Sequence, residues 1–164
     1  MFKTAIRWGV ATANPCHDVE RNPEQPRKRY VTDDELEAFM QFVPKWIALY
    51  VELKSLTGLR QTDLLKLRYD SCSESGILIS MSKTESRSNK RLLIEWSDDL
   101  KSTVDDIRAL PGKIKSVYFF STRKGQPYTP DGFRSIWQRW MTKACSEEIL
   151  NERFQERDIR AKTG

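Results

Sequence analysis

The stretch KWIALYVELKSL, residues 45–56, is apolar around most of its circumference. A helix of that kind has no wet face to present, so other elements have to cover it on every side. The rest of this 164-residue chain is therefore expected to wrap around it. A chain of that length buries a sizeable core without staples. Five Trp, seven Phe and five Tyr supply bulky side chains for it.

The flanking segments carry start and stop signals. In VTDDELEAFMQFV, Thr32 and Glu35 stand at capping-box spacing, and Val31 and Leu36 sit where a hydrophobic staple would form. Asp33 and Asp34 then complement the positive helix end, which explains this acidic pair better than a metal site does. Gly58 is placed to end the apolar helix. A short helix follows from about Thr62 through Leu67, with Leu64, Leu65 and Leu67 inward and Lys66 and Arg68 outward. GILISM (76–81) and RLLIEW (91–96) are β-rich runs around the polar stretch SKTESRSNK, a hairpin with a basic loop.

Ser97, ahead of Asp98 and Asp99, caps a helix presenting Leu100, Val104, Ile107 and Leu110, stopped by Pro111-Gly112. VYFFST (117–122) is a third strand by composition. Thr129 caps and Pro130 opens a further helix whose Phe133, Ile136, Trp137, Trp140, Met141 and Ala144 form one wide apolar face. The expected fold is α+β, mainly helical, with a small three-stranded antiparallel sheet.

The first 30 residues read differently. FKTAIRWGVATAN puts Phe2, Ile6, Val10 and Ala13 at helical spacing with no cap before it. NPCHDVERNPEQPRKR then carries three prolines and dense charge. Residues 1–14 are expected to be the last helix of an N-terminal domain, 15–30 a linker, and 31–164 the main domain. The only histidine, His17, lies in the linker. Cys16, Cys72 and Cys145 are odd in number and far apart, which supports neither a disulfide framework nor a zinc site. With no membrane-length apolar run and no leader pattern, a cytoplasmic protein without membrane contact is expected.

Charge narrows the partner. The net charge is +5, and it is concentrated. From Lys113 to Lys143 there are seven Lys/Arg against the single acid Asp131, and from Arg60 to Arg91 seven against four. Such stretches favour a polyanion. Within them, TGLRQTDLLKLR (57–68) sets Arg60 behind a glycine turn at a helix start, where backbone amides and a guanidinium fork suit a phosphate. Asp63, three positions on, is close enough to fix that arginine; equally, the two form an ordinary surface pair. Lys83 stands at the hairpin turn with Arg87, Lys90 and Arg91 nearby. Arg157 and Arg160 in ERDIRAKTG are three apart, on one helix face.

Taken together, these stretches resemble the catalytic domain of the tyrosine recombinases, in particular the phage integrases. TGLRQTDLLKL is similar to the family's first arginine box, T-G-x-R-x-x-E/D-L-x-x-L. SKTESRSNKRLLI resembles its β-hairpin lysine segment, RDIRAKTG its second box, commonly H-D-L-R, and GQPYTPDGFRSIWQRWMTKA the segment before that box. The order and spacing of the boxes carry the match, and it spans essentially the whole chain. The resemblance implies a DNA breaking-rejoining, integrase-like catalytic core acting on double-stranded DNA at attachment sites, from a phage or prophage, with neither metal nor cofactor. It implies that Arg60 and Arg160 bind the scissile phosphate, that Lys83 protonates the leaving 5′-oxygen, that Asp63 supports Arg60, and that Arg87 and Lys90 contact DNA. A tyrosine nucleophile would form a 3′-phosphotyrosyl intermediate.

Two departures follow. Arg157 occupies the usual histidine position, and a guanidinium holds a phosphate oxygen but does not take a proton. The family's tyrosine lies some thirty residues past the second box, whereas Tyr30, Tyr50, Tyr69, Tyr118 and Tyr128 all precede Arg160. The 164 residues are thus expected to lack the nucleophile, to be inactive alone and monomeric, and to come from a parent that forms tetramers on DNA. The alternative is a non-catalytic or degenerate DNA-binding module on the same scaffold. A metal-dependent integrase built on Asp33/Asp34, Asp98/Asp99 or Asp105/Asp106 is a weaker third reading, since helix starts and a solvated face account for these pairs.

Overall fold

The computed structural model describes residues 2–17, 19, 29–80, 91–111 and 116–160. The chain forms α1 (Phe2–Arg7), α2 (Asp33–Phe42), α3 (Lys45–Thr57), α4 (Gln61–Leu65), a 3₁₀ turn (Tyr69–Ser71), β1 (Gly76–Ser80), β2 (Arg91–Glu95), α5 (Asp98–Arg108), α6 (Pro130–Ser146) and α7 (Glu156–Arg160).

The apolar helix is the hub. α3 buries Ile47, Leu49, Tyr50, Val51, Leu53 and Lys54 and packs against α2, α5 and α7. The caps lie where local chemistry puts them. Thr32 and Glu35 form the full capping box on α2, Ser97 accepts from the Leu100 amide on α5, and Thr129 accepts from Gly132 on α6. Gly58 closes α3 in the left-handed region at φ 61°. On α6, Phe133, Trp137, Met141 and Ala144 are buried, with Ile136 and Trp140 packed beside them. Phe39 joins α2 to this layer through ring contacts of 5.2 Å to Trp137 and 5.3 Å to Phe154. Truncating such a fully enclosed ring to alanine costs about 3–5 kcal/mol.

The sheet is smaller than expected. β1 and β2 pair antiparallel with Ser80 opposite Arg91 and Gly76 opposite Glu95. Ile77 and Ile79 face the core. Among the described residues, 117–122 is not a third strand: it makes only the isolated bridges Arg68–Tyr118 and Ser121–Pro127. Its Phe119 and Phe120 satisfy the apolar pattern by packing inward, while the glycine turn at Gly125 folds the segment back on itself, the Thr122 amide donating to Gln126. The N-terminal helix is also shorter than its periodicity. It ends at Arg7 because Gly9 turns left-handed at φ 72°, and none of its residues is buried.

Candidate active site

α3 ends over Gly58, whose amide donates to the Lys54 carbonyl at 2.8 Å. The chain then tucks Leu59 into the core, 2% exposed, and presents Arg60 as the residue preceding α4. α4 is a single turn of five residues, so its dipole adds little; the anion-attracting feature here is the arginine, not the helix end that the sequence pattern points to. Arg60 is half-buried, and its Nη1 is sealed from solvent with no hydrogen-bond acceptor among the described residues. A buried donor left so costs about 1–3 kcal/mol, and more when it is charged. Asp63 sits one turn on, its amide donating to the Arg60 carbonyl at 3.0 Å, its side chain 5% exposed on the core side.

α7 carries the second arginine pair. Glu156 and Ile159 point inward and are buried, while Arg157 and Arg160 lie exposed, as their spacing on one short helix dictates. The Gln155 amide donates to Asp158 Oδ2 at 2.7 Å and closes the start of the turn.

A buried cluster joins the two regions. Lys54 Nζ lies 3.0 Å from the Leu59 carbonyl and 2.6 Å from Glu156 Oε1. The Tyr50 hydroxyl donates to the same carboxylate oxygen. One ammonium therefore touches the residue before Arg60 and the residue before Arg157. Burial pushes the Lys54 ammonium down from its ordinary pKa, the attraction of Glu156 opposes this, and the nearby Arg160 adds a small repulsion. Burial, and then the negative Glu156, raise the Tyr50 phenol well above its usual range. The sequence pattern did not single out Lys54, Tyr50 or Glu156. The available signal was one lysine within an otherwise apolar helical face, six residues before Arg60.

Lys83, Arg87 and Lys90 lie outside the described residues; β1 and β2 bring the two ends of their segment together at Ser80 and Arg91. Of the other tyrosines, Tyr128 stacks on Trp46 at 5.2 Å and Tyr69 packs on Phe119, while Tyr30 is exposed. A cleft of about 1100 Å³ lined by Trp46, Tyr69, Arg108, Arg123 and Tyr128 includes none of Arg60, Arg157 or Arg160. The acidic pairs considered as metal ligands fall at helix starts or in ion pairs. Asp33, Asp34, Asp98 and Asp99 occupy first helical turns. Asp105 pairs with Arg108 and Asp106 with Lys45. Among the described residues no group of acids, histidines and cysteines is arranged to hold an ion, and no helix is long and apolar enough to cross a membrane.

The same fold occurs in solved integrase structures. A lambda integrase (residues 75–356) dimer bound to a COC′ core site superposes with a TM-score of 0.73 at 19% identity, over 99% of this chain and 60% of that one. A lambda integrase tetramer bound to a Holliday junction gives 0.75 at 19% identity, over 99% and 47%. The Tn1549 transposon integrase (residues 82–397), in complex with circular intermediate DNA, gives 0.69 at 15% identity, over 99% and 60%. The chain thus spans about half to three fifths of these proteins. No curated protein sequence matches it. Residues 29–163 match the sequence pattern of the phage integrase family, a span that takes in both arginine segments and the hairpin between them, and the chain belongs to that family.

Proposed function

We propose that residues 31–164 are the catalytic-domain portion of a site-specific tyrosine recombinase that cuts and rejoins double-stranded DNA at attachment sites of a phage or prophage. In this reading the nucleophilic tyrosine lies outside the 164 residues, and the portion 1–164 is inactive and monomeric alone. The whole protein assembles as a tetramer on paired sites.

Arg60 and Arg160 grip the non-bridging oxygens of the scissile phosphate. Negative charge on those oxygens grows as the tyrosine oxygen attacks phosphorus, so fixed guanidinium donors favour the transition state over the ground state. The tyrosine–phosphorus bond forms, the bond to the 5′-oxygen breaks, and Lys83 gives that oxygen its proton. Arg157 holds phosphate and leaves proton removal from the tyrosine to another group. Asp63 backs Arg60, and Arg87 and Lys90 meet the DNA backbone. The observation that carries this reading is Arg60 Nη1, a buried guanidinium donor without an acceptor among the described residues, on a segment that Lys54 links to the helix of Arg157 and Arg160.

The test is covalent adduct formation by the full-length protein on a nicked suicide substrate in EDTA. Adduct in the unmodified protein and none in Arg60→Ala is the expected result. A second reading, a degenerate DNA-binding module, is favoured by Arg157, whose guanidinium stays protonated. Adduct only after Arg157→His establishes that reading, and no adduct in any version removes the enzyme altogether.

A further inference from the structure

We infer that Lys54 is a positioning residue of the candidate site: it holds the segment that carries Arg60 in register with the helix that carries Arg157 and Arg160. The consequence for strand cleavage rests on the recombinase reading; the clamp itself rests on geometry.

Lys54 is 1% exposed. Lysine is almost never enclosed to that degree unless its charge is used. Of its three donors, one goes to the Leu59 carbonyl at 3.0 Å and one to Glu156 Oε1 at 2.6 Å. These acceptors belong to two separate segments, and each adjoins an arginine. Tyr50, one turn earlier on α3, donates to the same Oε1, so the carboxylate is held from two points on one helix. That fixes the direction of α7 as well as its distance.

The need for such a device follows from the length of the elements. α4 is five residues long, too short to keep a helical geometry by itself, and α7 is described over Glu156–Arg160. α3, with 13 residues, is the rigid body available to both. Ile159 anchors α7 in the core at 0% exposure, but an apolar contact supplies burial without a fixed direction. A buried ion pair is also a poor choice for stability alone, because an apolar pair of similar volume usually serves as well. What the pair adds over an apolar one is directed bonds to two segments. A misplacement of about 1 Å in a phosphate-gripping group is enough to cost about 100-fold in rate.

The test compares Lys54→Met with the double variant Lys54→Met/Glu156→Leu, which removes the unpaired buried charge. In the full-length protein, Lys54→Met is expected to slow single-turnover adduct formation about 100-fold while DNA affinity changes less than about 3-fold. The double variant is expected to regain the melting temperature but not the cleavage rate. In the 1–164 chain, amide hydrogen exchange of that variant is expected to rise together over residues 59–63 and 156–160, with α5 and α6 unchanged. Recovery of both melting temperature and cleavage in the double variant would overturn the inference, since the pair would then be structural. Exchange that changes in one segment only would overturn it too. If Lys54→Met does not fold, the double variant carries the comparison. If the unmodified protein forms no adduct, the recombinase reading falls, and the exchange measurement alone decides the clamp.

Discussion

Gly76 backs onto Ile94 so closely that a Cβ at position 76 would lie 2.1 Å from the Ile94 carbonyl oxygen. The glycine also sits at φ 152°, a conformation that L side chains rarely adopt. β1 begins and β2 ends beside this contact, and the segment with Lys83 connects their far ends. Gly76→Ala is therefore expected to destabilise the protein by roughly 2 kcal/mol or more, read as a lower urea midpoint at unchanged slope. A midpoint shift equivalent to less than about 0.5 kcal/mol would show that the strand moves aside freely.

Arg60 gives an expectation of the opposite sign. Its Nη1 is buried without an acceptor among the described residues, a desolvation cost that binding a phosphate would relieve. Arg60→Met keeps the aliphatic bulk and removes that cost. The variant is expected to be more stable than the parent by about 1 kcal/mol and, in the full-length protein, to form no adduct. Denaturation of the two proteins in phosphate-free buffer decides this; a variant less stable than its parent would mean that the guanidinium is already satisfied in the free protein.

The helical frame was legible because local signals agree with tertiary need. The capping box at Thr32 and Glu35, the left-handed Gly58 and the Thr129-Pro130 start each fall within a few residues of the periodicity they terminate. The third strand failed because VYFFST has strand composition but not strand alternation: the consecutive Phe119 and Phe120 are both buried, and its pairing with Arg68 stops at an isolated bridge from Tyr118. The boxes drew attention to Arg60, Arg157 and Arg160. The clamp at Lys54 was not, because its partners Leu59 and Glu156 are joined only by the packing of α7 on α3, and no local pattern encodes that.

Acid should expose the Arg29–Glu35 contact. The hydrogen bond from Arg29 holds the Glu35 carboxyl below its ordinary 4.5, with the Thr32 amide assisting. A carboxylate with a depressed pKa lends stability that is fully present above its unfolded value, and that stability is lost as pH falls through the folded value. The difference in denaturation midpoint between the parent and Glu35→Gln is thus expected to be constant near neutrality and to shrink below about pH 4.5. A difference that persists unchanged into acid would assign Glu35 to the cap alone, through its uncharged hydrogen bond.

Salt should identify which basic residues meet DNA. Arg134 is engaged by Asp131 at 2.9 Å and Lys143 lies 3.5 Å from Glu147, so each would have to leave a carboxylate before reaching a phosphate. Arg123 and Lys124, by contrast, stand exposed on the turn that Ser121 and Pro127 close. Binding of residues 1–164 to duplex DNA is expected to be weak, indifferent to sequence and steeply dependent on salt. Each phosphate contact contributes about −0.9 to the slope of log affinity against log salt. Replacing Arg123 and Lys124 by alanine is expected to flatten that slope by about 1–2, and replacing Arg134 by less than about half as much, since release of Asp131 offsets the lost contact. Equal effects from the turn and from Arg134 would show that the surface pair on α6 opens at no cost, and an unchanged slope in the turn variant would take this face of the molecule off the DNA.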